Sequence, residues 1–151
     1  MGNIFNQDFR DFINAFNINN VRYILVGGYS VILHGRNRTT GDMDIWVDRT
    51  RENYKRIYLA FLHFGMSVFD MTEEKFLNDS NTDVFTFGRP PVAIDIMLNV
   101  LGLDFNECFE KSVYFEQDEL QIRTIHINDL ISAKKASGRH KDLDDLEHLN
   151  P

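Results

Sequence analysis

Asp42 and Asp44 stand two apart in Gly41-Asp42-Met43-Asp44-Ile45-Trp46-Val47, an otherwise apolar segment. On a β-strand, residues i and i+2 point to the same face. Two carboxylates on one face can share a hard divalent cation such as Mg2+, which prefers oxygen ligands. A third acid, Asp95, sits at the centre of Val92-Ala93-Ile94-Asp95-Ile96-Met97-Leu98. A lone carboxylate in such a run carries a desolvation cost unless it is paired or ligated. Beside Asp42 and Asp44 it would complete a three-carboxylate site for two ions, Mg2+ or Mn2+. Two-metal sites clamp the attacking and leaving oxygens of an in-line displacement. Asp95 would then also be placed to accept the proton of an attacking hydroxyl. The plainer alternatives are solvent-facing strand-end acids at 42 and 44, and an Asp95 paired with an arginine at the edge of the core.

Val26-Gly27-Gly28-Tyr29-Ser30 lies just upstream. Tyr23-Ile24-Leu25-Val26 reads as a buried strand, and residues 30 to 34 read as the start of a helix. A strand, a glycine turn and a helix start leave backbone N–H groups free and let phosphate approach closely. Gly27, Gly28 and Ser30 are therefore expected to hold phosphates. The alternative is a tight turn with Ser30 as a helix cap. Phosphate ligands followed by metal ligands point to a nucleoside triphosphate carried on magnesium.

Two cations are candidates for the same ligand. Arg38 lies in the loop leading into the acids and could bind phosphate bidentately or serve as their counter-ion. Ile127, Leu130, Ile131 and Lys134 follow the helical i, i+3, i+4, i+7 rule, which places Lys134 on the inward stripe. It would point into the cleft and hold a triphosphate, or remain a scaffold lysine near a helix end. Lys135, Arg139 and Lys141 make the tail locally basic, as a nucleotide-facing surface or a solvated face. Asp142, Asp144 and Asp145 near the next helix start suit the macrodipole and read as structural. The five histidines are scattered, with no zinc-binding spacing.

Supporting elements follow from periodicity. Phe5, Phe9, Phe12, Ile13 and Phe16 recur at helical spacing, predicting a helix over 6–17. Strands are expected at 22–26 and 42–48, with helices at 29–35 and 51–64, the latter ended by Gly65. Residues 66–83 are polar and read as partly loop. Phe85-Thr86-Phe87, Arg89-Pro90-Pro91 and the run from Val92 form a hairpin that carries Asp95. A short helix is expected over 104–111, a second hairpin over 112–116 and 120–124, and two closing helices over 128–137 and 141–149. This is an α+β fold, a mixed sheet flanked by helices. Residues 1–151 read as one domain whose last two helices, about 127–149, close the cleft.

The spacing of the motifs adds a resemblance. Gly27-Gly28, thirteen intervening residues, then Asp42-Met43-Asp44-Ile45 resembles the signature of the polymerase-beta-type nucleotidyltransferase superfamily, and Ile94-Asp95-Ile96 resembles its third acid. Arg38-Thr39-Thr40-Gly41-Asp42 and the tail from Leu130 through Lys134 to Arg139-His140-Lys141-Asp142-Leu143 are similar to the small bacterial branch near the AbiEii-like toxins. The resemblance runs from about Val21 to Leu149. It implies transfer of a nucleoside monophosphate to a hydroxyl acceptor with release of pyrophosphate. It also implies acceptors drawn from RNA, proteins or small molecules, and toxin–antitoxin partnership. The competing readings are a non-catalytic nucleotide-binding, antitoxin or regulatory module, and a metal-dependent nuclease. The intact acids argue against the first, because a pure binder needs no base. The glycine turn argues against the second.

Composition bounds these readings. The 151 residues, 43% of them hydrophobic, suffice for one core. A net charge of −7 disfavours nucleic-acid binding except at a local basic patch. Cys108 is the only cysteine, so an internal disulfide is excluded and a reducing cytoplasm is expected. Neither a signal peptide nor a membrane span is expected.

Overall fold

Residues 6–89 and 92–149 are described in the structure, a computed structural model. The elements run α1 (Gln7–Ile18), β1 (Tyr23–Val26), α2 (Gly27–Leu33), β2 (Met43–Val47), α3 (Arg51–Phe64), α4 (Glu73–Asn78), β3 (Val84–Arg89), β4 (Val92–Met97), α5 (Phe105–Lys111), β5 (Val113–Gln117), β6 (Leu120–Thr124), α6 (Ile127–Ser137) and α7 (His140–His148). The six strands form one mixed sheet in the order β3-β4-β2-β1-β6-β5. The expected α+β architecture is therefore the one observed.

Alternation along the central strands sorts side chains onto two faces. Leu25, Met43, Ile45, Val47, Ile94 and Ile96 belong to the larger core, against the phenylalanine stripe of α1 and the inner face of α3. The rings of Phe12 and Phe61 join these two helices edge to face at 5.3 Å. Ile24, Val26 and Trp46 point the other way, into a smaller core with Cys108, Ile125, Leu130 and Leu149. Burial pushes the Cys108 thiol up to about 12, with further help from the Asp129 charge, so it behaves as a small apolar filler. By strand alternation, Asp44 shares its face with Trp46, and Asp95 with Met97. The acids thus lie at the margin of the smaller core, on the side covered by α5, α6 and α7.

Local chemistry explains the boundaries. Thr50 caps α3, accepting from the Asn53 N–H, and Gly65 ends it in the left-handed conformation at φ 95°. α2 begins at the glycine pair itself, two residues before the expected start. α4 falls in the stretch expected to be partly loop. Thr72 caps it, and the burial of Met71 and Phe76 fixes it to the larger core. Asp118 and Glu119 both adopt positive φ, making the tight β5–β6 turn expected at Gln-Asp-Glu. The Pro90-Pro91 turn of the first expected hairpin lies outside the described residues. Among the described residues, no helix is long and apolar enough to cross a membrane.

Candidate active site

Register brings two of the acids together. β2 and β4 run parallel, and Asp44 is the direct partner of Asp95. On one side of this pair Thr86 of β3 stands opposite Asp95, and on the other Val26 of β1 stands opposite Asp44. Thr86 Oγ1 donates a 2.7 Å hydrogen bond to Asp95 Oδ1. No local pattern points to Thr86, because its contact with Asp95 depends on strand pairing. Asp42 precedes β2 by one residue and lies close enough to repel Asp44.

The electrostatic consequence falls on Asp44. Burial, then the charge and hydrogen bonding of Asp95, then the charge of Asp42 push its carboxyl up to about 7. The charge of Lys141 acts in the other direction. At Asp44, burial and the neighbouring acids outweigh it. Their oxygens match a hard divalent cation in donor type. Among the described residues, no three His, Cys, Asp or Glu side chains are gathered into a cage that could hold an ion unaided. Mg2+ suits such an open arrangement, because it binds through one or two carboxylates, keeps waters and takes further ligands from substrate phosphates.

Sterics explain the glycine pair. Gly27 has a left-handed φ of 69°, and a Cβ there would collide with the Asp44 carboxylate. A Cβ on Gly28 would collide with the Thr40 hydroxyl and lie 3.1 Å from Arg38 Nη2. The two glycines therefore make room for the acid strand and for the loop that leads into it. Both also line the cleft. Ser30 is placed differently from expectation. It is fully buried, and its hydroxyl donates to the Gly27 carbonyl at 2.6 Å. It braces the turn from beneath, with no surface toward the cleft.

A cleft of about 810 Å3 collects the remaining residues. Its wall includes Gly27, Gly28, Asp42, Asp44 and Asp95, the loop from Arg38 to Gly41, and the tail cations Lys134, Arg139 and Lys141. The inward stripe of α6 does carry Lys134 to this wall, but its ammonium is already engaged. Lys134 Nζ lies 3.0 Å from Asp142 Oδ1 and 3.0 Å from Asp145 Oδ2, and both acids are fully buried. Arg38 Nη1 donates to both oxygens of Asp145 at 2.7 Å. Arg139 Nε donates to Asp142 at 2.8 Å, and Arg36 is bonded to Asp144 and Asp145. Three carboxylates of α7 thus tie four cations from the 36–40 loop, α6 and the 138–139 turn.

These acids fit a structural role, but through tertiary ion pairs rather than the helix dipole alone. Burial would raise Asp142, yet hydrogen bonds from Arg139, Ser137 and Lys134 outweigh it and hold the carboxyl well below the usual aspartate range. Asp145 is lowered against its burial in the same way, by Arg38 and Lys134. Lys141 is exposed and makes no hydrogen bond or ion pair among the described residues. Among the cations that line the cleft, it and the largely exposed Arg139 are the most open to a ligand. Sequence reasoning singled out Arg38 and Lys134 above them.

No family model matches the sequence, and no curated protein does. Among solved structures, the chain resembles a Thermotoga maritima protein described as a candidate nucleotidyltransferase. The two share 16% sequence identity, and the match covers 93% of this chain and 88% of that one, with a TM-score of 0.58. The fold is shared over nearly the full length of both chains.

Proposed function

We propose that the protein is a metal-dependent nucleotidyltransferase. It moves a nucleoside monophosphate from a triphosphate to a hydroxyl acceptor and releases pyrophosphate. The observation that carries this reading is the pairing of Asp44 with Asp95 across β2 and β4, with Asp42 beside them, in a cleft that Arg38, Lys134, Arg139 and Lys141 also line. The shared fold with a candidate nucleotidyltransferase supports it.

Each residue has a task. Asp44 and Asp95, with Asp42, would hold Mg2+, two ions when the nucleotide supplies further oxygens. The metal, when bound, supplies Lewis-acid polarisation of the phosphate. Asp95, oriented by Thr86, accepts the proton of the acceptor hydroxyl as its oxygen bonds to the α-phosphorus. The bond from that phosphorus to the bridging oxygen breaks, and pyrophosphate leaves. Lys141 and Arg139 are open to the β- and γ-phosphates, and Arg38 and Lys134 add positive potential from the wall. Positive groups fixed where charge develops stabilise the transition state. Gly27 and Gly28 let the phosphates lie close to the acid strand.

The acceptor is a hydroxyl on RNA, on a protein or on a small molecule, and a toxin-type role with a cognate antitoxin and a cytoplasmic location accord with the sequence resemblance. One observation favours a second reading, a nucleotide-binding or antitoxin module without turnover: Arg38 and Lys134 are already engaged by Asp145 and Asp142. Incubation of cell extract with the protein, Mg2+ and α-labelled triphosphates separates the two. Transfer predicts label bonded to an acceptor, whereas a binding module leaves the nucleotide bound and intact.

A further inference from the structure

A second cavity, of about 220 Å3, opens beside the acid cleft and shares with it Gly27, Asp44, Met97, Lys134 and Arg139. Its remaining wall is mostly apolar: Val100 and Leu101 from the connection after β4, Ile125, and Leu130 and Ala133 from α6. The polar side chains outside the shared set are Asn99, Ser137 and Asp142, and Asp142 is already paired with Lys134 and Arg139. Leu101 is 65% exposed although it lines this cavity. An exposed leucine at the mouth of an apolar cavity leaves contact area for a ligand to cover.

We infer that this cavity receives the base of the nucleotide, an assignment that rests on the nucleotidyltransferase reading. The two cavities divide the ligand by chemistry. The larger one offers cations and carboxylates, suited to phosphates, metal and a hydroxyl. The smaller one offers aliphatic walls and few polar groups, suited to the faces of one planar ring system whose edge meets Asn99 or Ser137. Lys134 and Arg139 on its wall are already paired with Asp142, so a polar acceptor placed there would regain few hydrogen bonds for the hydration it loses. The shared residues Gly27 and Asp44 join the two, so a single nucleotide can bridge them with its α-phosphate at the acids.

The test compares a nucleotide with a ligand that has no base. Calorimetry in Mg2+ measures binding of ATP, GTP, CTP, UTP and inorganic tripolyphosphate to the wild type, to Ala133→Trp, which fills the cavity from a partly exposed helix position, and to Leu101→Asp, which makes its mouth polar. Circular dichroism checks that each variant is folded. The expected result is that both variants weaken the preferred nucleotide by roughly ten- to a hundredfold, the loss of one ring's apolar contact area, while tripolyphosphate affinity stays within about twofold. Unchanged nucleotide affinity in folded variants would overturn the assignment, as would a higher KM for acceptor at unchanged nucleotide affinity, which would make the cavity the acceptor site. If the wild type binds neither nucleotide nor tripolyphosphate, the nucleotidyltransferase reading itself fails.

Discussion

Asp44 and Asp95 are direct partners on neighbouring parallel strands, and this pairing is what raises the Asp44 carboxyl toward neutrality beyond the effect of burial. Two acids so placed oppose folding once both are charged. The pair is therefore a stability cost of the free protein, one that a bound cation would relieve.

The sign of its pH dependence follows. The folded-state value of Asp44, about 7, exceeds its ordinary value of 3.8. Between those values the folded protein holds a proton that the unfolded chain has lost, so stability falls as pH rises through this window. In EDTA, Asp44→Asn should stabilise the protein at pH 8, by an amount on the order of 2 kcal/mol. The gain should shrink toward pH 5. Thermal melts at the two pH values measure it, and a gain that is larger at pH 5 would contradict the pairing.

Lys134→Met would leave Asp142 and Asp145 buried with fewer partners. Breaking a buried pair costs about 3–5 kcal/mol, and the remaining bonds from Arg38 and Arg139 should bring the loss to the lower end. On sequence alone, a lysine pointing at phosphate would be removable without loss of stability. The ion pairs reverse that expectation. Urea denaturation should show the loss, and adding Asp142→Asn should recover part of it. An unchanged midpoint in Lys134→Met would mean that the network contributes nothing.

Asp142 and Asp145 give α7 a dependence on acid. Both carboxyls lie below their ordinary value, so their contribution is complete above about pH 4 and is lost progressively as pH falls below it. α7 should therefore loosen at a less acidic pH than a helix held by apolar contacts alone. Hydrogen exchange at α7 amides, followed from pH 5 to pH 3 and compared with α3, should show protection lost first in α7. Equal loss in both helices would remove the special role of the network.

Much of the candidate site is legible in the sequence because its signals are local. Asp44 and Asp95 are conspicuous in apolar runs, whereas Asp42, expected on the same strand as Asp44, precedes β2 by one residue. Gly27-Gly28 sits at a strand end, though its steric need for Asp44 and Thr40 appears only once β1 and β2 pair. What escaped is long-range. Arg38 meets Asp145 across 107 residues, and no periodicity encodes that contact. The glycine turn beside its helix start predicts that Ser30 faces a ligand, but its hydroxyl turns back to the Gly27 carbonyl. α4 is short, and the larger core holds it through Met71 and Phe76, so its helical period is too brief to stand out.

Thr86 positions Asp95, and its removal should be milder than removal of the acid. Asp95→Asn should lower kcat by at least about a hundredfold, the usual lower range for a general base. Thr86→Val should lower kcat less, while Thr86→Ser, which keeps the hydroxyl, should restore it. Steady-state kinetics of the two variants decide this. A Thr86→Val kcat identical to that of the wild type would leave the hydrogen bond without a catalytic role.

The central claim is transfer itself. The most direct measurement is mass spectrometry of acceptor pools incubated with the protein, Mg2+ and each triphosphate in turn, with pyrophosphate quantified in the same reaction. The account predicts a nucleoside-monophosphate increment on a hydroxyl-bearing acceptor, matched one for one by pyrophosphate. Both products should be lost in EDTA and in the Asp42→Ala, Asp44→Ala and Asp95→Ala variants, each of which should remain folded. Pyrophosphate release and acceptor modification that persist in any folded one of these variants would contradict it, as would tight binding of triphosphate with no product from any acceptor pool.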